Sequence, residues 1–240
     1  MALHRKMAAI DALRPDLAVI SECAAPDILS GRGLDHAPGV WVGHNRNKGL
    51  GIFGFGAFDV APLPGYKPYL RHVVPVAVSG PVALTLIGVW AQNASGGVTR
   101  KHQLGPLRRA LRAYRHHLGP RTVLGGDLNN NNFWDKPGWR GNHQATVDIL
   151  SDAGLVSAYH HRTGEAEGQE TVPTLYWRAL YWRDRREDGP RYHIDYAFLP
   201  RHWAGAITDF QIGTFADWCG PGLSDHAPLI LDLDPAALPA

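Results

Sequence analysis

Short apolar runs that stop at a carboxylate constrain this chain more than any other feature. Leu17-Ala18-Val19-Ile20 runs out into Ser21-Glu22-Cys23, and Arg121-Thr122-Val123-Leu124 into Gly125-Gly126-Asp127. Asp225-His226 stands just ahead of the run Leu229 to Leu233. Runs this short, bounded by Gly, Pro or polar residues, read as buried strands. Gly (27) and Pro (18) punctuate the 240 residues so densely that a bundle of long helices is not expected. A chain of this length can bury about 70–75% of its unfolded surface, so it needs no disulfide or metal staple to fold.

Between these runs the pattern alternates. Leu3 to Leu13 has apolar residues at helical spacing and ends at Arg14-Pro15-Asp16. Gly49 to Phe58 reads as a Gly-rich strand. Leu70 to Val78 and Val82 to Trp90 read as a hairpin through Ser79-Gly80-Pro81. A polar loop from Gln92 to Gly97 precedes a basic amphipathic helix over Gln103 to His117, with Arg108, Arg109, Arg112 and Arg115 on one solvated face. A second helix is expected over Gln144 to Ala153, a polar loop over Thr163 to Gln169, and strands at Tyr192 to Leu199 and Leu229 to Leu233. No repeat or linker divides the chain, which reads as one domain over 1–240 with strand layers faced by helices.

Net charge is +2 with histidines neutral, compatible with a phosphate-bearing partner but short of a nucleic-acid footprint. Cys23 and Cys219 form neither a disulfide framework nor a zinc motif and read as free thiols. No stretch resembles a transmembrane span. The N-terminus lacks the apolar run of a secretory signal, so a cytoplasmic location is expected.

Strand exits in α/β sheets are where side chains converge on a ligand, which singles out Glu22, Asp127 with Asn129, and Asp225 with His226. Taken singly, Asp127 also reads as a turn residue, and Asn129 to Asn132 as an Asx-rich loop with its register open. Asp195, inside the apolar stretch YHIDYAFL, is harder to dismiss. An unpaired carboxylate there costs several kcal/mol, and a histidine is its natural partner.

Four stretches together resemble the endonuclease/exonuclease/phosphatase superfamily, with its exonuclease III-like and deoxyribonuclease I-like members. They are PDLAVISE (Pro15 to Glu22), GGDLN (Gly125 to Asn129), HIDYAFL (His193 to Leu199) and LSDHAPL (Leu223 to Leu229), in the family's order and spacing across nearly the whole chain. The resemblance implies a four-layer α/β sandwich, two packed mixed sheets flanked by helices, and one Mg²⁺ site (Mn²⁺ as substitute) that cuts phosphate esters. Glu22 and Asp225 would be metal ligands, whose hard oxygens suit Mg²⁺. Asp127 would orient or deprotonate the attacking water, and Asn129 would hold that water or a phosphate oxygen. Asp195 would fix and charge His226, which stabilises negative charge at phosphorus.

The chain departs from that pattern twice. Family members open with a strand carrying an asparagine ahead of the first helix. Here that strand is missing, and an upstream start is expected. Where relatives carry a tyrosine or histidine at the end of the Val82–Trp90 strand, this chain has Trp90, whose indole donates one hydrogen bond but is no general acid. Gln92 or Asn93 would then contact the phosphate, and the leaving-group acid is unassigned.

Tyr176 to Arg186 (YWRALYWRDRR) interleaves aromatics with arginines, a combination suited to nucleic acid. Tyr176, Trp177 and Arg178 are therefore substrate-side candidates with Trp90, Asn93 and His193. The same stretch also reads as a surface hairpin packed back on the sheet. The expected function is a Mg²⁺-dependent phosphodiester hydrolase, a nuclease on DNA or RNA. The alternatives are a phosphatase or phosphodiesterase on a small or lipid phosphoester, and a catalytically weak nucleic-acid- or phosphate-binding module.

Overall fold

Leu3, Met7 and Ile10 recur every three or four residues, and they form the buried stripe of helix α1 (Leu3–Ala12) in the computed structural model, which describes residues 3–34, 38–92, 106–138, 141–177 and 187–238. Pro15 ends the helix region and the chain enters strand β1 (Leu17–Cys23), followed by the short helix α2 (Pro26–Ser30). Strands β2 (Val40–Asn45) and β3 (Lys48–Gly54) form a hairpin closed at Arg46-Asn47, where Asn47 N donates to Asn45 Oδ1 at 2.9 Å. These make a three-stranded antiparallel sheet in the order β1-β3-β2.

A six-stranded sheet carries the rest of the frame. Its strands are β4 (Asp59–Pro62), β5 (Val73–Ser79), β6 (Leu84–Trp90), β7 (Thr122–Asp127), β8 (Leu155–Ser157) and β11 (Asp195–Pro200), in the order β4-β5-β6-β7-β11-β8. Among the described strands only β6 and β7 run parallel, and the crossover between them contains helix α3 (Pro106–Ala113). Helices α4 (Gln144–Asp152) and α5 (Ala158–Thr163) flank β8. The small pair β9 (Leu175–Tyr176) and β10 (Arg191–Tyr192) precedes β11, and β12 (Ile207–Ile212) pairs antiparallel with β13 (Leu229–Leu233).

Strand alternation decides which side chain goes to which layer. On β6, Leu86 and Trp90 face Val40, Leu50 and Ile52 of the three-stranded sheet. Ile87 and Val89 point the other way, into a cluster with Leu107, Ala110, Leu111 and Tyr114 of the α3 region and Leu150 of α4. Gly88 lies where β3 crosses closest, since a Cβ there would stand 2.6 Å from Ile52 Cδ1. Beyond β3, α1 packs on Ile20 and Phe53 together with Phe215, Trp218 and Ala227 from near the C-terminus. The β12–β13 pair lies on Ala197 and Leu199 of β11 through Phe210, Leu229, Leu231 and Leu233.

Cys23 and Cys219 are both free and buried in the α1 cluster, and burial pushes each thiol up to about 12. None of the described helices is long and apolar enough to cross a membrane.

Several sequence expectations need correction. The Gly-rich strand ends at Gly54 because Phe58 N turns back onto Phe55 O, and its partner β2 was not foreseen. The first hairpin strand starts at Val73, Pro68–Leu70 being a 3-10 turn. The basic helix is described from Pro106, stops at Ala113 and continues as a 3-10 turn over Arg115–His117; Gln103 to Gly105 lie outside the described residues. The strand expected over Tyr192 to Leu199 is two elements, because Ile194 N and Asp195 N both turn to the Thr174 hydroxyl; Asp195 therefore opens β11.

Candidate active site

Two neighbouring strands bring the first two carboxylates together. Asp127 ends β7 and Asp195 opens the antiparallel β11, directly opposite in the register; Trp90, at the end of β6, flanks Asp127 on the other side. Asp127 is buried at 4% exposure. Asn129, at φ 49°, folds back so that its N–H donates to Asp127 Oδ1 (2.8 Å) and its Nδ2 to Oδ2 (2.6 Å). Asp195 is fixed through its backbone. The buried Thr174 Oγ1 accepts from Ile194 N and Asp195 N, both at 3.0 Å.

His226 arrives from the loop ahead of β13. That loop runs antiparallel to the β9 segment, with Tyr176 N donating to Asp225 O and Ala227 N to Thr174 O, each at 2.8 Å. His226 N donates to Ser224 Oγ, and Nδ1 meets Asp195 Oδ2 at 2.8 Å. One ligand atom each of Asp127, Asp195 and His226 lies within 4.8 Å of the other two.

Charge crowding shapes the group. Burial, with the neighbouring charge of Asp195, lifts the Asp127 carboxyl well above the usual carboxylate range against the pull of His226 and the Asn129 N–H. Burial alone would lower His226. Asp195, through its charge and its hydrogen bond, with Asp127 and Asp225 adding, instead raises it to about 10. His226 is therefore an imidazolium at neutral pH, held by a carboxylate on one nitrogen.

Glu22 leaves β1 at φ 58°, where the pairing with β3 bulges, and its Oε1 lies 2.6 Å from Lys48 Nζ. Asp225 is half-buried, and its Oδ1 has no hydrogen-bond partner among the described residues. Lys6 of α1 is half-buried nearby: burial lowers its ammonium, while Asp225, Cys23, Glu22 and Asp195 hold it up. The donor chemistry fits a hard divalent cation, for the group is made of carboxylates and contains one buried oxygen without a partner.

The remaining candidates are spread around this centre. Trp90 is buried with its ring 4.6 Å from His72 and Lys48 Nζ 5.7 Å above it. Tyr176 is also buried, edge-on to Phe215 at 5.0 Å, whereas Trp177 beside it is 48% exposed. His193 is buried on the far side of Ile194, with Nδ1 2.8 Å from Val172 O. Asn93 and Arg178 lie outside the described residues.

Sequence reasoning missed Lys6, Lys48 and Thr174. Lys6 gave a signal of sorts, as a basic residue one position from the apolar stripe of α1. Thr174 and Lys48 gave none, because their roles depend on strand pairing across the fold.

No protein-family model matches the sequence, and no curated protein matches it. Solved structures do. An AP endonuclease from Archaeoglobus fulgidus is similar at a TM-score of 0.65 and 17% identity, over 97% of this chain and 94% of that one. AP endonuclease LMAP from Leishmania major gives 0.66 and 13%, over 95% and 82%. The 3' phosphatase NExo from Neisseria, bound to a product DNA hairpin, gives 0.62 and 17%, over 97% and 96%. The chain thus shares its fold, across nearly its whole length, with these AP endonucleases and this 3' phosphatase.

Proposed function

We propose that this chain is a Mg²⁺-dependent phosphodiester hydrolase, a nuclease acting on DNA or RNA, built as a four-layer sandwich of α1, the three-stranded sheet with the β12–β13 pair, the six-stranded sheet, and α3 with α4. The observation that carries the reading is the Asp195–His226 pair set against buried Asp127, beside a buried Asp225 oxygen that has no partner among the described residues. Bound Mg²⁺, or Mn²⁺ in its place, would supply Lewis-acid polarisation of a phosphoryl oxygen, with Asp225 and Glu22 as its donors.

The chain's own residues do the rest. Asp127, its proton affinity raised by burial and by Asp195, takes a proton from the attacking water. Asn129 locks the carboxyl in place through two hydrogen bonds. His226, charged and oriented by Asp195, presents its other ring nitrogen to the negative charge growing at phosphorus. The exposed Trp177 supplies a stacking face for a base. The similar Neisseria enzyme, described as a 3' phosphatase with a DNA product, makes a phosphomonoester at a DNA end the second substrate to test.

The test is nicking of supercoiled plasmid with Mg²⁺ or with EDTA, beside Asp127→Ala, and phosphate release from a 3'-phosphorylated hairpin oligonucleotide. Metal-dependent nicking that falls by about 10²-fold or more in Asp127→Ala is expected. Phosphate release without nicking replaces the nuclease with a phosphatase. DNA binding with neither activity leaves only a binding module.

A further inference from the structure

A second group of histidines and carboxylates lies away from the candidate active site, on the α5 side of the six-stranded sheet. One ligand atom each of His160, Glu167 and Glu170 lies within 4.8 Å of the other two. His160 Nε2 stands 3.1 Å from Glu170 Oε1, and Nδ1 stands 2.8 Å from Ser157 Oγ and 3.3 Å from Glu167 Oε1. A ring with Nε2–H donating to Glu170 and Nδ1 accepting from the Ser157 hydroxyl satisfies both contacts, and a cation at Nε2 would take the place of that proton.

A separate side chain stands at the rim of this group, beside Glu167 and outside the 4.8 Å that joins the other three. His143 comes from the loop ahead of α4 and is 1% exposed, yet its Nε2 has no hydrogen-bond partner among the described residues. Glu167 Oε2 is buried without one too, and the two atoms are 4.0 Å apart, too far for a hydrogen bond. Both atoms are buried polar groups that call for a partner. Ligand atoms held at about 2.0–2.2 Å around one tetrahedral ion are roughly 3.3–3.6 Å apart, so separations of 3.1 and 4.0 Å fall on either side of that spacing.

Supporting contacts of the kind that orient metal ligands are already in place. Ser157 holds His160, while Gly168 N (3.0 Å) and Asn131 Nδ2 (2.9 Å) donate to Glu170.

We propose that His160, Glu167 and Glu170, with His143 as fourth donor, bind a zinc-type divalent cation in a structural site. Two imidazoles and two carboxylates in a closed, mostly buried set suit Zn²⁺ better than Mg²⁺, which keeps several waters. The ion would clip the 164–172 loop to α5 and to His143. It also reaches the first site, because the Glu170 partner Asn131 is two residues beyond Asn129.

The experiment loads the full chain with Zn²⁺, dialyses away weakly bound metal and counts zinc by mass spectrometry. In parallel it records the visible d–d absorption of the Co²⁺-loaded chain. The chain, Asp127→Asn and the exposed-site control His161→Ala are expected to retain one zinc and the same Co²⁺ spectrum. Glu167→Gln and His143→Ala are expected to lose the zinc by about tenfold or more and to lose the rise in thermal midpoint that zinc gives. Glu167→Gln keeps the side-chain volume, and circular dichroism checks that it folds. The proposal is overturned if the chain retains no zinc, if folded Glu167→Gln retains it, or if Asp127→Asn loses it.

Discussion

Two adjacent glycines in β7 should respond oppositely to the same added methyl group. Gly126 has φ +132° and pairs with Val89 of β6 on one side and Tyr196 of β11 on the other. A Cβ there would lie 2.0 Å from Val89 O, with Val89 C and N at 3.0 and 3.2 Å. That is about 1 Å inside the 3.0 Å limit below which real Cβ contacts essentially never occur. All three obstructing atoms are backbone in the middle of a sheet, so no side-chain rotation relieves them. An unfavourable φ costs about 1–3 kcal/mol and overpacking about 1–3 more, which sets Gly126→Ala at roughly 3–5 kcal/mol.

The Gly125 Cβ would instead meet only Tyr196 O, at an ordinary 3.7 Å. Gly125→Ala should therefore change stability by less than about 1 kcal/mol. Urea unfolding followed by tryptophan fluorescence measures both, and the nicking assay adds a second readout. Asp127 follows Gly126 directly, and in its proposed role a displacement of about 1 Å can cost 10²-fold in rate. Equal losses at the two positions, or a Gly126→Ala chain within about 1 kcal/mol of the original, would refute the reasoning.

Two further substitutions probe how the site is held. The folded-state value of His226 is raised to about 10, so its stabilisation is complete below the ordinary 6.5 and fades as pH rises through 10. With the ring 26% exposed, His226→Gln should cost about 2 kcal/mol at pH 6 and far less near pH 10, measured by urea unfolding at both; a gap that does not change with pH would rule out the ion pair as its source. Thr174→Val keeps the shape but removes the acceptor for Ile194 N and Asp195 N, so it should destabilise by about 2–3 kcal/mol and slow nicking in folded protein, a result that unfolding and rate measurements check together.

What the sequence disclosed depended on how local each signal is. The bounds of β13 and the start of α4 were legible because a Gly, a Pro or a change of period marks them within a few residues. Asp127 and Asp195 were legible as chemistry, since a carboxylate at or within an apolar strand demands a reason. Their direct pairing was not, because register between strands 68 positions apart in sequence is set by the whole sheet. Strand β2 escaped notice because Gly43, His44 and Asn45 dilute its apolar pattern, and only burial against β3 and β5 makes Val40 a core residue. Lys48 is the sharper case. As the first residue of a Gly-rich strand it looks like a solubilising charge, and nothing local shows that the bulge at Glu22 brings a carboxylate to it.

The asparagine run from 129 to 132 shows why local pattern could not assign each member a role. All four read alike as Asx-loop residues, yet each is tied elsewhere. Asn129 closes on Asp127, and Asn130 Nδ2 donates to Gly141 O. Asn131 is buried and donates through Nδ2 to His193 O, the Tyr196 hydroxyl and Glu170, while its Oδ1 accepts from Phe133 N. Asn132 reaches Gln144 at the start of α4. An amide carries both donor and acceptor, so a run of four can bind strand end, loop, sheet and helix to one another where a run of carboxylates would repel. The segment that leaves β7 is thus held at every residue, with Asn129 tied back to Asp127 and Asn131 tied to the Glu170 cluster.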